Sequence, residues 1–250
     1  MEDGRTFDAY RARWGLAPDG APVATHSSRL LPVRRDGTPA MLKIALADEE
    51  RAGAGLMAWW DGDGAARVLA HAGDALLMER ATGGRSLAEM ARAGKDDEAS
   101  RILCAVAGGL HARRDRPPPA LVPLARWFQA LEPAASAHGG IFARAAAVMR
   151  ELLASPRDVV VLHGDLHHGN VLDFGARGWL AIDPKGLAGE RGFDFANLFQ
   201  NPDRATAAAP GRLARQLDVV ADAAGLERGR LLRWVLAYAG LSAAWSLEDG

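Results

Sequence analysis

The chain has 250 residues, of which 49% are apolar and 24% charged, a composition typical of one large or two small globular domains with a substantial core. Its formal net charge of −1 excludes a general electrostatic attraction to nucleic acid or to an anionic membrane surface. Because the N-terminus lacks the apolar core of a signal peptide and no apolar run reaches the ~20 residues of a bilayer span, we expect a cytoplasmic protein without nucleic-acid or membrane partners, and the oligomeric state stays open.

Residues 1–80 are predicted to form a small lobe built on a β-sheet. An amphipathic segment from Phe7 to Trp14 precedes APVATHSSRLLPVRRDGTPAMLKIA, which has the pattern of three strands. The Asp36-Gly37 pair is a strong signal for a hairpin between the second and third of them. A helix then begins with the acidic run at 48–50, and ARVLAH and DALLMERA add two strands. We therefore expect a sheet of about five strands with one helix.

Residues 81–250 are predicted to form a larger, mostly helical lobe. SLAE is a capping-box signature, and the helical pattern continues from there to residue 154 with a break at the prolines of RPPPA. Strands are expected only between residues 159 and 186. Two helices finish the chain, Pro210 to Ala224 with the proline in its first turn and Leu231 to Leu247. The fold class is thus predicted to be α+β, with a sheet-rich N-lobe and a helical C-lobe.

The stretch VVVLHGDLHHGNVLDFGARGWLAIDPKG places acids, histidines and an amide close together. VVVL is typical of a buried strand, so HGDLHHGN is the loop that leaves it. NVLD and WLAID are predicted to pair as a hairpin centred near Ala176-Arg177, which sets Val171 opposite Ile182 and Asn170 opposite Asp183. In that register Asn170 and Asp183 end beside Asp165.

The same stretch contains DFG, the metal-binding triplet of protein kinases, at Asp173-Phe174-Gly175. Asp173 lies on the outgoing strand, whereas the metal ligand belongs on the returning strand, where Asp183 lies. We therefore interpret Asp173 as a solvated residue beside the turn. Asp183→Asn is expected to abolish turnover, and Asp173→Asn to leave it near normal.

Oxygen donors at Asp165, Asn170 and Asp183 suit Mg²⁺ bound jointly with phosphates. In a phosphotransferase Asp165 accepts or orients the acceptor hydroxyl, and the other two hold the metal. Such an enzyme also needs a cation for the phosphates. Only three of the 30 basic residues are lysines, and one of them, Lys43, ends a strand of the N-lobe. Glu50 is expected to hold Lys43 extended, although its neighbour Glu49 fits the same position equally well.

The competing chemistry is a zinc or iron site made of His163, Asp165, His167 and His168. Such a site leaves Asn170, Asp183 and the N-lobe lysine Lys43 without roles, so the phosphotransferase interpretation is preferred. His163 is then expected to support the loop by hydrogen bonding. Whether His167 and His168 pack in the loop or face the substrate stays open.

HGDLHHGN followed by WLAIDPKGLAGERGFDFANLF resembles the aminoglycoside phosphotransferases. Within them it is most similar to the branch of streptomycin 6-phosphotransferases and aminoglycoside/hydroxyurea antibiotic-resistance kinases, and the likeness covers nearly the whole chain. The resemblance implies a two-lobed protein-kinase-like fold with ATP in the cleft. It also implies transfer of the γ-phosphate to a hydroxyl of an aminoglycoside, with streptomycin the expected acceptor and antibiotic resistance the result.

The resemblance also assigns roles to residues. Asp165 is the implied catalytic base, Asn170 and Asp183 are the implied Mg²⁺ ligands, and Lys43 with Glu50 is the implied phosphate-anchoring pair. Two alternatives to the streptomycin kinase are carried forward: a kinase of another small hydroxylated metabolite, and a catalytically silent nucleotide-binding protein of the same fold.

Further positions are assigned by the same likeness. The backbone of Glu79 and Ala81 is expected to meet the adenine, and Ser27 and Ser28 take the place of a glycine-rich phosphate loop. Glu190 and Asp194 fall where such enzymes put acids near the cleft, and Asp194 is alternatively a buried brace for the catalytic loop. Lys185 either assists the phosphates or is an exposed turn residue.

Overall fold

The computed structural model describes the backbone of residues 3–248 and the side chains of residues 7–248. Its helices are α1 Asp3–Trp14, α2 Asp48–Trp60, α3 Leu87–Met90, α4 Asp96–His111, α5 Leu124–Trp127, α6 Leu131–His138, α7 Gly140–Ala154, α8 Arg204–Ala207, α9 Arg212–Ala224 and α10 Arg228–Glu248. Its strands are β1 Leu16–Pro18, β2 Val23–Ala24, β3 Ser28–Arg35, β4 Thr38–Ala45, β5 Val68–Ala72, β6 Ala75–Glu79, β7 Val122–Pro123, β8 Val159–Leu162, β9 Val171–Asp173, β10 Trp179–Ala181 and β11 Leu187–Glu190. A π-helical turn at Ala91–Lys95 and 3₁₀ segments at Phe128–Ala130, Gly175–Arg177 and Arg191–Gln200 complete the description.

The N-lobe is an antiparallel six-stranded sheet in the order β1-β3-β4-β6-β5, with β2 paired to β3. The predicted hairpin is confirmed, because Asp36 and Gly37 both have positive φ, 49° and 77°, as a tight two-residue turn requires. The sheet has one strand more than expected. The additional strand, β1, is only three residues long and ends in a proline, so it carries almost no strand signal of its own.

Alternate residues of β6 enter two different apolar clusters. Ala75 and Leu77 join a cluster on one face of the sheet, which Phe7 of α1 helps to cover. Leu76 and Met78 point the other way and pack with α2 and with the buried residues of the C-lobe. The main core therefore runs through both lobes.

The C-lobe confirms the helical prediction and corrects it in two details. Ser86 Oγ accepts the backbone N–H of Glu89, as the capping box predicts. Strands are not confined to residues 159–186, because β11 pairs antiparallel with β8 and parallel with the two-residue β7. Pro210 is not in a helical turn: α9 begins at Arg212, after Gly211 in the left-handed region with φ 76°. Within residues 3–248 no helix has the length and apolarity that crossing a membrane requires.

The hairpin register differs by one residue from the prediction. Val171 faces Ala181, and Asp173 faces Trp179, so the predicted pairing of Val171 with Ile182 was wrong. The connection has an odd number of residues, 174–178, and is closed by the Phe174 N–H bond to the carbonyl of Gly178. The pairing nevertheless continues to the open end of the hairpin, where Ile182 N–H donates to Asn170 O.

Gly53 of α2 is where the N-lobe helix contacts the segment after β10. A Cβ at this position would lie 2.1 Å from the carbonyl oxygen of Pro184, whereas a Cβ at Gly55 meets nothing within 4 Å. Gly53→Ala should therefore lower the free energy of unfolding by about 1–3 kcal/mol through overpacking. Gly55→Ala in the same helix should raise it by about 0.5–1 kcal/mol. Denaturant unfolding measures both, and equal effects would show that the α2 contact is not tight.

Candidate active site

Asp194 holds the loop that leaves β8. Its carboxylate accepts the backbone N–H groups of His163 at 2.9 Å and Gly164 at 2.7 Å, and His111 Nε2 lies 2.8 Å away. The side chain is 1% exposed. Burial raises the pKa of Asp194, but the hydrogen bond and charge of His111 and the bonds from the loop outweigh it and hold the pKa below the usual aspartate range. Of the two expected roles, the geometry is that of the buried brace.

Asp194→Asn should lower the free energy of unfolding by about 2–3 kcal/mol, because an amide cannot accept all of these hydrogen bonds. Because the pKa of Asp194 is depressed in the folded state, its carboxylate stabilises the wild-type protein at neutral pH, and this stabilisation is lost on acidification below pH ~4. The variant, which has no carboxylate at this position, should not show that loss. Urea unfolding across this pH range measures both effects. Asp218→Asn, at an exposed ion pair with Arg228, is the matched control and should stay within about 0.5 kcal/mol of wild type.

His163 links the same loop to the end of β10. The ring is fully buried, its Nε2 lies 2.8 Å from Ile182 O, and its Nδ1 accepts the backbone N–H of Asp165 at 3.2 Å. These two bonds fix the neutral tautomer with the proton on Nε2. Burial also lowers the pKa of His163. The ring therefore supports the position of Asp165 from inside the core.

Asp165 is held by two amide side chains. Asn170 Nδ2 donates to its backbone carbonyl at 2.9 Å and to Oδ2 at 3.2 Å, and Asn197 Nδ2 donates to Oδ1 at 2.8 Å. Each carboxylate oxygen thus receives one N–H, while the side chain keeps 28% of its surface exposed. Sequence reasoning brought Asn170 to this position but missed Asn197, whose only signal is that it is an amide within the apolar run FDFANLF.

Lys43 is buried between two carboxylates. Its ammonium forms ion pairs with Glu50 of α2 and with Asp183 after β10, and Ser27 Oγ donates to Glu50 Oε1 at 2.8 Å. Burial raises the pKa of Glu50, but the hydrogen bond and charge of Lys43 outweigh it and bring the pKa to about 2. Ser28 is buried and bonds to Thr25 within its own turn. Lys43 therefore connects Asp183 to the N-lobe.

Lys185 also reaches Glu50. Its Nζ lies 3.1 Å from Glu50 Oε1 and 3.5 Å from Glu49 Oε1, and only 14% of its side chain is exposed. The structure thus excludes the exposed-turn interpretation of Lys185. Burial lowers its pKa, but Glu50 and Glu49 outweigh this and raise it to about 12, so the side chain is cationic at neutral pH.

Asp173 is not the solvated residue that its position beside the turn predicted. It is 5% exposed and accepts Arg85 Nε at 2.8 Å and Nη2 at 3.0 Å. The hydrogen bonds from Arg85 lower its pKa to about 2. The prediction failed because the hairpin lies under the connection between the lobes: Gly83 N–H donates to Asp173 O at 2.9 Å. Asp173 therefore fastens this connection and takes no part in the cluster around Asp165.

Three other expected residues lie away from Asp165. Glu79 ends β6, and its carboxylate accepts Arg67 N–H at 2.6 Å and pairs with Arg177. Ala81 follows in the connection between the lobes. Glu190 is 4% exposed and binds Arg230 through both carboxylate oxygens, so it supports α10.

The histidines of the loop do not converge. His167 Nδ1 accepts Gly169 N–H at 3.0 Å, and its Nε2 is 3.9 Å from Asp165. His168 is 2% exposed, neither ring nitrogen has a hydrogen-bond partner within the described residues, and burial lowers its pKa to about 4. His163 Nε2 lies within hydrogen-bonding distance of Ile182 O, so the three histidine rings have no hydrogen-bond partner atom in common. Among the described side chains, those of residues 7–248, no cluster of three or more His, Cys, Asp or Glu is able to hold a metal, which disfavours the zinc or iron interpretation.

A cleft of about 380 Å³ opens beside Asp165. Its walls combine acidic and aromatic side chains with Lys185, and the lining residues are Glu49, Trp127, Gly164, Asp165, Lys185, Tyr238, Trp245 and Glu248. Trp127 and Trp245 meet edge to face, with ring centroids 5.5 Å apart. Acidic and aromatic groups together suit a cationic, hydroxylated small molecule.

The sheet-rich N-lobe carries a buried lysine–glutamate pair, and the helical C-lobe carries a loop with an aspartate and an asparagine. This combination defines a phosphotransferase of the protein-kinase-like class. The comparisons with known proteins specify it further. The chain belongs to the aminoglycoside/hydroxyurea antibiotic resistance kinases, whose family model matches residues 13–250. This confirms the expected family.

Individual relatives agree with that assignment. Streptomycin 3''-kinase of Klebsiella pneumoniae is 58% identical over 243 residues, which cover 95% of this chain and 91% of the relative. Streptomycin 6-kinase of Streptomyces griseus is 36% identical over 255 residues, covering 95% and 81%. The structure of aminoglycoside phosphotransferase APH(3'')-Id from Streptomyces rimosus, in complex with ADP and streptomycin, matches with a TM-score of 0.62 at 20% identity, covering 96% of this chain and 98% of that one. It confirms the two-lobed fold.

Proposed function

We propose that this protein transfers the γ-phosphoryl group of ATP to a hydroxyl of streptomycin and so inactivates the antibiotic. The observation that carries the proposal is Asp165, which two amides orient at the edge of an acidic and aromatic cleft. Relatives named as streptomycin kinases, 58% and 36% identical, support streptomycin as the acceptor.

Asp165 performs the proton transfer of the reaction. Its carboxylate takes the proton of the acceptor hydroxyl while that oxygen forms a bond to the γ-phosphorus and the bond from the phosphorus to the leaving ADP oxygen breaks. The N–H groups of Asn170 and Asn197 keep the carboxylate in one orientation. Positioning of this kind contributes more to phosphoryl transfer than covalent chemistry does.

The residues around Asp165 fit a magnesium nucleotide. Asn170 donates through its amide nitrogen to Asp165, which leaves its carbonyl oxygen for a cation, and Asp183 offers a carboxylate at the open end of the same hairpin. Oxygen donors of this kind hold Mg²⁺, which supplies charge neutralisation to the phosphates when bound. Lys43, held by Glu50, provides a fixed ammonium for the nucleotide phosphates. The backbone of Glu79 and Ala81 is proposed to receive the adenine, and Ser27 to lie near the phosphates.

The cleft beside Asp165 is the proposed acceptor site. Glu49, Asp165 and Glu248 bring negative charge to it, and Trp127, Trp245 and Tyr238 bring aromatic surface. Cationic sugars bind such surfaces by ion pairing and by contact with aromatic faces.

The test is Mg²⁺-dependent release of ADP with streptomycin, other aminoglycosides, hydroxyurea and simple hydroxylated metabolites, with Asp165→Asn as control. Streptomycin-stimulated turnover that is lost in the variant supports the proposal, and NMR of the product gives the phosphorylated position. Turnover with a metabolite alone would contradict the acceptor. ATP binding without turnover across the whole panel would instead support the catalytically silent alternative.

A further inference from the structure

We propose that Lys185 is a catalytic residue whose ammonium leaves Glu50 and binds the oxygens of the phosphoryl group during transfer. The inference rests on the proposed function and adds a residue to it. It starts from the position of this lysine, which lines the cleft together with Asp165 and Gly164 and lies two residues after Asp183.

The backbone around Lys185 is fixed to the catalytic loop. Lys185 N–H donates to His163 O at 2.7 Å. Gly164 has φ +85°, and a Cβ there would lie 3.1 Å from Lys185 Cβ and 2.8 Å from two side-chain atoms of Leu187. The loop therefore crosses directly over the stem of Lys185, and this close approach requires glycine. The ammonium is consequently carried by an anchored stem next to Asp165.

Glu50 does not need Lys185 as a partner. Its Oε2 is paired with Lys43, while its Oε1 accepts both Ser27 Oγ at 2.8 Å and Lys185 Nζ at 3.1 Å. When Lys185 moves away, both carboxylate oxygens of Glu50 keep a donor. The buried carboxylate thus stays satisfied and Lys43 stays extended. Lys185 is the one of the two ammonium groups at Glu50 that can be released.

The surroundings indicate an anionic target for the released ammonium. A cationic acceptor is repelled by a lysine, and the acids and aromatic rings of the cleft already suit such an acceptor. Negative charge on the phosphoryl group is spread over its three equatorial oxygens during transfer, and a nearby ammonium stabilises that charge. A compact ammonium suits this role better than the arginine that the chain uses almost everywhere else.

The test compares Lys185→Gln with Lys95→Gln, a matched change at the exposed lysine that precedes α4. Streptomycin turnover, affinity for ADP and for the triphosphate analogue AMP-PNP by calorimetry, and the unfolding midpoint are measured for each. Lys185→Gln should lower kcat by about 10²-fold. It should weaken AMP-PNP binding by about tenfold and leave ADP affinity unchanged, while the unfolding midpoint falls because the ion pairs with Glu50 and Glu49 are lost. Lys95→Gln should change none of them.

Lys43→Gln provides the contrast, because a lysine that holds the inner phosphates should weaken ADP and AMP-PNP alike. The proposal is overturned if Lys185→Gln retains wild-type kcat. It is also overturned if the variant loses ADP and AMP-PNP affinity equally together with stability, since Lys185 then acts only through Glu50. If the wild-type protein does not phosphorylate streptomycin, the proposed function fails, but the difference between ADP and AMP-PNP binding still tests Lys185.

Discussion

Asp165→Asn should lower kcat for streptomycin phosphorylation by about 10²–10⁴-fold and lower the unfolding midpoint, while leaving ADP affinity near wild type. Asparagine keeps the shape of the side chain but cannot take the hydroxyl proton. The side-chain amides of Asn170 and Asn197 each donate to one carboxylate oxygen of Asp165. In the variant one of these oxygens is replaced by an NH₂ group, so one hydrogen bond becomes a repulsive contact between two donors. The loop itself is held by Asp194 and His163, and therefore it should keep its position.

Steady-state kinetics, calorimetry with ADP and thermal unfolding measure these three quantities. Asp218→Asn, on the outer surface of α9, is the control for a neutral change of aspartate to asparagine. Substantial turnover in Asp165→Asn would show that the acceptor hydroxyl loses its proton elsewhere, and His167, 3.9 Å away, would then be the next residue to substitute.

Asp183→Asn should also abolish measurable turnover, with a loss of at least about 10²-fold. Asp183 has φ +65°, a conformation that asparagine adopts readily, so the backbone should be preserved. What changes is the charge: the proposed Mg²⁺ site loses a carboxylate and Lys43 loses an ion pair. We expect the Mg²⁺ concentration needed for half-maximal nucleotide binding to rise as well.

Asp173→Asn is the informative partner of this variant. It should retain near-normal kcat and normal Mg²⁺ dependence, because Asp173 is bonded to Arg85 and to the connection between the lobes. Its unfolding midpoint should fall, since the amide cannot accept both bonds from the guanidinium. Loss of activity in Asp173→Asn with retention in Asp183→Asn would overturn the assignment of the two aspartates.

Much of the arrangement could be predicted from local pattern. The Asp36-Gly37 turn, the Ser86 cap and the return of the hairpin toward Asp165 all depend on residues close in sequence. The one-residue error in register arose because a hairpin with five connecting residues and one with four look alike in sequence. The pairing of Lys43 with Glu50 was predicted from the strand and helix that carry them, at a sequence separation of only seven residues.

Contacts between distant parts of the chain could not be predicted in this way. Asp173 appeared solvated because its partner, Arg85, lies 88 residues earlier, and Asn197 is 32 residues from Asp165. Lys185 could not be distinguished from an exposed turn residue, because the direction of its side chain depends on how Gly164 packs over it. Such long-range placements are properties of the packed fold.

The shared core has a consequence for how this protein unfolds. The strand-rich and the helical parts of the sequence meet at residue 80. The core does not end there, because α2 and the β6 residues Leu76 and Met78 are buried against the C-lobe. A backbone hydrogen bond from Ala66 N–H to Ala181 O also joins the two lobes. An N-lobe separated from the rest would expose Trp60 and Met57 to water and would lack most of its stabilising contacts. The two lobes should therefore melt in a single cooperative transition, and the Arg85–Asp173 pair should protect the connection between them from proteolysis.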